Sequence, residues 1–245
     1  MAIDLDPRAF AELCPSGTLR VGINHQNFLL VLRGSTDADP RGPAPDLARE
    51  LARRIGAPIR FVGFSSAGKL ADAARDRVWD VAFLAADPER EAEIAFTAPY
   101  LEIPATYLVP AGSPLATIDD VDREGVRIST AAKSAYELYL RRHVKRATLV
   151  LAPSVDASFQ RFVDEGLEAL SGLRPRLLED LEKLPGARLL EGRFTAVQQA
   201  IGTHRDRPEA AAYLRAFVED AKASGLVARA IADNGVPGVA VAKPA

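Results

Sequence analysis

Several things are scarce in this sequence, and each scarcity closes off a class of function. There is one cysteine, Cys14, among 245 residues, so an intrachain disulfide framework is excluded and a reducing compartment fits. Cys14 reads as a helix residue packed against the domain. No run approaches the roughly 20 apolar residues of a bilayer-crossing helix, so the chain is not membrane-embedded. Neither charge sign dominates: Lys+Arg 31 against Asp+Glu 33 leaves a net −2. With no basic run or stripe to follow a phosphate backbone, nucleic acid is excluded as a partner. The histidines are His25, His143 and His204, far apart in sequence, and the lone cysteine has no partner at ligand spacing, so no metal site is expected. A glycine-rich phosphate loop after a strand and a GxSxG motif are both absent, and no cofactor is expected.

The opening "MAIDLDPRAFAELCPSG" carries Asp4, Asp6 and Glu12 where an export signal needs a basic head and a continuous apolar run. The expectation is a cytoplasmic protein as the sequence stands, or a periplasmic one if a leader has been trimmed.

What is present is an ordinary globular composition, 48% apolar and 26% charged, with strand and helix patterns alternating throughout. That alternation predicts an α/β fold with parallel sheets covered by helices. "TLRVGIN" reads as a strand. "PDLARELARRIG" follows as a helix with Leu47, Leu51 and Ile55 on one face and Gly56 at its end. "PIRFVGF" and "DVAFLA" are strands, with Ser65 or Ser66 able to cap a helix "GKLADAARDR" between them. A β-rich run "TYLVPAGSPLATIDDVDREG" marks a crossover into a second lobe. There "GVRIST", "ATLVLA", "EALSGL" and "ARLLE" read as strands alternating with helices "SAYELYLRRHV", "SFQRFVDEG" and "RPRLLEDLEKL". "FTAVQQAIG" carries the chain back to two closing helices. The expected division is lobe 1 at 1–108 and 195–245, and lobe 2 at 109–194.

Two α/β lobes joined by two β crossovers form the plan of a hinged clamshell. The segments "GTLRVGIN", "PDLARELARRIGAPIRFV", "WDVAFLAADPEREAEIAFTAPY", "GVRISTAAKSAYELYL" and "LRAFVEDAKASGLVARAIADNG" give that plan a more specific likeness. The chain resembles the type II periplasmic solute-binding proteins, in particular the amino-acid-binding group that serves ABC importers, from Thr18 to about Val241. The resemblance implies a monomer that closes by hinge motion on a small carboxylate ligand, an amino acid or related organic acid, either for an ABC transporter permease as partner or as a cytoplasmic sensor or scavenger.

It also implies a ligand site. Arg90 matches the arginine that holds the ligand carboxylate through a two-pronged pair of hydrogen bonds, the other reading being an ion pair with Glu89, Glu91 or Glu93 on a solvated turn. Phe83 and Ala85 fall where the family carries polar residues or glycine, leaving main-chain groups or a phenyl wall to face the ligand. Asp87 caps the turn or touches ligand. Lys133 and Ser134 stand at the family's Gly-Thr/Ser helix start, where free N–H groups favour an anion. "SAYE" is also a capping box between Ser134 and Glu137, which accounts for Ser134 by itself. Asn27 and Phe28 lie near the family's aromatic wall, with His25 and Lys69 as further polar candidates. Leu173 replaces the aspartate that pairs with an α-ammonium, while Glu168 aligns with a mostly structural acid. An organic acid without that amine therefore fits better than an α-amino acid, since an unpaired buried ammonium is costly. The alternative is a dehydratase-like enzyme acting on a cyclic carboxylate, with Lys133, Lys69 or His25 as acid or base.

Overall fold

The chain leaves and re-enters its first compact unit once. In the computed structural model, which describes residues 5–245, the first unit ends at Glu102 and resumes at Gln198, and the second is Ile103–Val197. The acidic N-terminal position Asp4 lies outside the described residues.

The first unit starts with α1 (Pro7–Leu13), which Asp6 caps through Arg8 N–H. The buried Cys14 lies one residue past this helix, as its C-cap. β1 (Leu19–Asn24) follows, then α2 (Pro43–Ile55) and β2 (Ile59–Phe64). Leu47, Leu51 and Ile55 are buried as the periodicity predicts, and Gly56 closes α2 in the left-handed region at φ 69°. Of the two candidate serines, Ser66 caps α3 (Ala67–Asp72) by accepting Lys69 N–H at 3.1 Å. α3 is shorter than the sequence suggests: it gives way to turns, with Arg77 at φ 50° just before the buried Trp79. β3 (Val81–Ala85) and β4 (Ile94–Phe96) complete this part.

β1 lies between β2 and β3, parallel to both. Under these strands Leu70, Ala74, Trp79, Ala82, Leu84 and Ile94 form a core cluster. One residue before β3, the fully buried Asp80 accepts hydrogen bonds from Arg20 Nε (2.8 Å), Arg20 Nη2 (2.7 Å), the Arg20 backbone N–H (3.1 Å) and Arg207 Nη1 (2.9 Å). Burial pushes the Asp80 carboxyl up, but these donors outweigh it and hold the group below the ordinary carboxylate range.

β5 (Leu101–Val109) carries the chain into the second unit. There follow β6 (Arg127–Ala131), α4 (Ala135–His143), β7 (Thr148–Ala152), α5 (Val155–Asp164), β8 (Ala169–Leu173), α6 (Arg174–Leu181) and β9 (Arg188–Leu189). β6 is parallel to β7 and β8, and β5 runs antiparallel to β8 and β9. Tyr107, Val109, Ile128, Leu140, Ala169 and Leu190 pack into one core cluster. Phe162, Leu167, Leu170 and Leu177 pack with Leu108 into another.

β10 (Thr195–His204) brings the chain back, antiparallel to β3 and β4. α7 (Pro208–Ala223), α8 (Leu226–Asp233) and β11 (Ala240–Val241) close the first unit, with Arg54 bridging Glu50 and Asp220 between α2 and α7. The sequence reading put the two passages at 108/109 and 194/195; the units divide at 102/103 and 197/198, inside β5 and β10. Among the described residues no helix is long and apolar enough to cross a membrane.

Candidate functional site

In sheets of parallel strands, ligand groups gather beyond the carboxyl ends. In the first unit those ends are Asn24, Phe64 and Ala85: His25, Asn27 and Phe28 follow the first, Lys69 lies on α3 after the second, and Asp87 and Arg90 follow the third, with Phe83 and Ala85 inside β3 itself.

Every residue of β3 is buried. Past its end, Asp87 accepts Glu89 N–H at 2.9 Å through its side chain, and its carbonyl accepts Arg90 N–H at 2.9 Å. The Asp87 carboxylate thus caps the turn. Arg90 is only 7% exposed, and its Nη1 donates to the Ala85 carbonyl at 2.6 Å. The guanidinium is folded inward against the strand that precedes it, so the turn is not a solvated one. Phe83 is 2% exposed and meets Tyr100 edge-on, with ring centroids 5.8 Å apart. Ala85 is buried too, so its carbonyl is the group it offers.

The loop after β1 is bound to the loop after β2 by a hydrogen bond from His25 N–H to the Phe64 carbonyl at 3.0 Å. His25 Nε2 sits 2.8 Å from Asp37 Oδ1, and Asp37 Oδ2 accepts Gly63 N–H at 3.0 Å. Burial would raise the Asp37 carboxyl, but the His25 and Gly63 donors overcome it and leave the group below its ordinary value. A Cβ at Gly63 would fall on Asp37 Oδ1 and His25 Nε2, so any larger residue here obliges those side-chain ends to move. Asp37 escaped the sequence reading, since nothing in "GSTDADPRG" shows which aspartate returns to the sheet. Asn27 turns the loop by accepting Leu30 N–H and Val31 N–H, both at 2.9 Å, while its side-chain Oδ1 is buried without a partner. The Phe28 ring lies under the Arg33 guanidinium at 3.9 Å. Lys69 Nζ donates to Ser65 Oγ at 3.0 Å on the neighbouring loop.

In the second unit β6 and β8 are parallel neighbours, so Thr130 to Ser134 and Leu173 belong to one end of that sheet. Ser134 caps α4 by accepting Glu137 N–H at 3.1 Å. Glu137 reaches back one residue further than a standard capping box, to Lys133 N–H at 2.8 Å, while Ser134 N–H goes to the Ala131 carbonyl at 3.2 Å. At 1% exposed, the Glu137 carboxylate is balanced by Arg141 Nε at 3.0 Å. Lys133 holds φ 59°, a conformation that glycine adopts freely and lysine does not. Thr130 Oγ1 is buried without a partner. Tyr136 lies on the first turn of α4, and burial pushes its phenol up to about 12.

Leu173 is the N-cap of α6 and supplies no side-chain cap. Glu168 pairs with Arg127 through Nε at 2.9 Å and Nη2 at 2.8 Å and also accepts Arg127 N–H, tying β8 to β6; Arg127 holds its carboxyl below the ordinary range. Among the described residues no group of three or more His, Cys, Asp or Glu side chains is placed to hold a metal.

The profile of the bacterial extracellular solute-binding proteins, family 3, matches residues 19–233. Among curated proteins, a cyclohexadienyl dehydratase from Pseudomonas aeruginosa is 29% identical over 124 residues, 49% of this chain and 46% of that protein. The match therefore spans less than half of the enzyme. Among solved structures, a histidine kinase sensor domain with similarity to periplasmic binding proteins superposes with TM-score 0.77 at 17% identity, covering 92% of this chain and 98% of that one. The ancestral amino-acid-binding protein AncCDT-1, a precursor of cyclohexadienyl dehydratase, gives TM-score 0.74 at 18% identity over 91% and 98%. The amino acid ABC transporter substrate-binding protein AbpA of Streptococcus pneumoniae, bound to L-arginine, gives 0.72 at 19% over 91% and 96%. At these identities the structural likenesses establish the two-lobed periplasmic-binding fold.

Proposed function

Because the chain belongs to the bacterial extracellular solute-binding proteins, family 3, we propose that it is a binding protein for a small organic carboxylate and carries out no chemistry on it. The observation that carries this reading is Arg90: a guanidinium 7% exposed and already fixed to the Ala85 carbonyl at the end of β3. A guanidinium is a planar fork shaped to hold a carboxylate through two hydrogen bonds, and one fixed in advance spends less entropy when a ligand docks. Ser134 and the first amides of α4 are the anion-favouring group of the second unit. Leu173 supports a ligand without an α-ammonium, because a leucine offers such a group no counter-charge and its burial unpaired costs several kcal/mol. His25, Asn27, Phe28, Lys69 and Lys133 are the remaining candidates for selecting the ligand's body.

An ABC-type permease is the partner this reading implies, with the protein acting as a monomer. The family's description as extracellular supports export over a cytoplasmic role. The partial likeness to cyclohexadienyl dehydratase keeps one competing reading testable, in which the bound acid is consumed.

Thermal unfolding against a panel of hydroxy acids, dicarboxylates, aromatic carboxylates and amino acids tests the proposal, with Arg90→Ala as control. A ligand at about 1,000 times its Kd adds about 4 kcal/mol, several degrees in a chain of this size. A shift with one carboxylate, lost in the control and without turnover, supports a binding protein. Consumption of the hit overturns it in favour of the enzyme, and a shift that survives Arg90→Ala removes the carboxylate anchor.

A further inference from the structure

The first unit contains a hollow that the reading above does not use. It is an open depression of about 470 Å³ lined by Ala86, Glu91, Ile94, Phe96, Arg205 and Arg215, with Ala95, Thr97, Pro208 and Ala211 filling in the walls. That volume lies within the range of about 300–1,000 Å³ found for small-ligand sites. Arg90 is not among the lining residues, although Ala86 and Glu91 flank it on the same turn.

Its floor and its rim differ in chemistry. Ile94 and Phe96 from β4, with Pro208 and Ala211 from the first turn of α7, present apolar surface. Arg215 stands one further turn along the same face of α7. Arg205 donates through Nη1 to the Glu91 carbonyl and through its backbone N–H to the Glu93 carbonyl at 3.0 Å, which holds this guanidinium to the turn. Arg215 is exposed. Elsewhere in this unit Arg20, Arg49, Arg53, Arg54, Arg77 and Arg207 are each paired with a carboxylate. Two guanidinium groups over an apolar floor, opposed by one carboxylate at Glu91, form a net cationic cup.

We infer that this hollow is a second ligand site, distinct from Arg90 and the start of α4, and that it takes a small organic acid with an apolar body. The carboxylate meets Arg205 and Arg215, and the body lies over Ile94, Phe96 and Ala211. Planar guanidinium groups suit a carboxylate, and a ring over Phe96 adds aromatic contact.

The test is a titration of the whole 15N-labelled chain with 4-fluorobenzoate, followed by amide NMR shifts. Saturable shifts at Ala86, Glu91, Ala95 and Ala211 are expected. Arg215→Glu should weaken that binding by about tenfold or more, the effect of losing one charged contact and adding a repulsive one. Glu91→Gln should tighten it by removing the opposing charge. Arg215→Gln, with a milder loss, covers the event that the charge reversal disturbs α7. Shifts confined to Arg90 and Ser134, shifts that do not saturate, or binding indifferent to both substitutions at Arg215 would each overturn the second site while leaving the carboxylate reading of Arg90 to its own thermal test.

Discussion

Replacing Asp80 by asparagine should cost the first unit much of its stability, and the size of the loss follows from what surrounds the carboxylate. Asp80 is 0% exposed and neutralises Arg20 and Arg207, whose side chains are 22% and 10% exposed. Removing one member of a buried charge cluster costs about 3–5 kcal/mol, because the remaining charge is left without compensation. Arg20 retains some access to water, so the lower end applies, about 3 kcal/mol. At roughly 2–4 °C per kcal/mol for a chain of this length, the midpoint should fall by about 6–12 °C in calorimetry at neutral pH. The sign with pH is fixed by the depressed carboxyl in the folded state. Its contribution is complete above the unfolded-state value of about 3.9 and is lost as pH falls through the lower folded value. Wild type and Asp80→Asn should therefore converge in acid. A midpoint within about 2 °C of wild type at neutral pH would refute the reasoning, and so would a gap that persists below the folded pKa.

Three further substitutions probe the loops. Gly63→Ala places a Cβ against the ends of the Asp37 and His25 side chains, so it should displace that pair at a cost of about 1 kcal/mol in urea unfolding, and a cost well above this would show that the two side chains cannot move. Lys133→Gly relieves the left-handed backbone at φ 59° and should stabilise the chain by somewhat under ~1 kcal/mol once glycine's freer unfolded state is subtracted, read as a higher thermal midpoint. Leu173→Asp should create affinity for an α-amino acid, read by titration calorimetry; no gain would show that this position does not face the ligand.

The fold was legible wherever a periodic apolar pattern met a capping residue. The α2 helix shows both, from Leu47 to Gly56, and Ser134 marks the start of α4. Legibility failed where a long-range contact decides. The end of α3 and the pairing of Asp37 with Gly63, 26 residues away, depend on what folds back, and local spacing is silent on that. β5 and β10 could be read as strands, yet the points where the chain changes unit fall inside them and carry no compositional mark. The candidate site divides in the same way. Arg90 is marked in the sequence by a local motif, whereas its inward fold onto the Ala85 carbonyl rests on the burial of the whole strand before it.

The two units prepare their polar groups by opposite means, and the difference bears on how a ligand would be discriminated. In the first unit a cation is held in place by main-chain oxygen: Arg90 loses one donor to Ala85 and keeps its charge. In the second, the start of α4 is already quieted, since Ser134 Oγ accepts one amide and the buried Glu137 accepts another. Glu137 is itself balanced by Arg141, so the negative charge one turn into α4 is cancelled inside the helix. The helix start therefore keeps its anion preference through its remaining amides and the Lys133 charge beside them. Leu173, at the neighbouring helix start, brings no acid of its own to that end of the sheet.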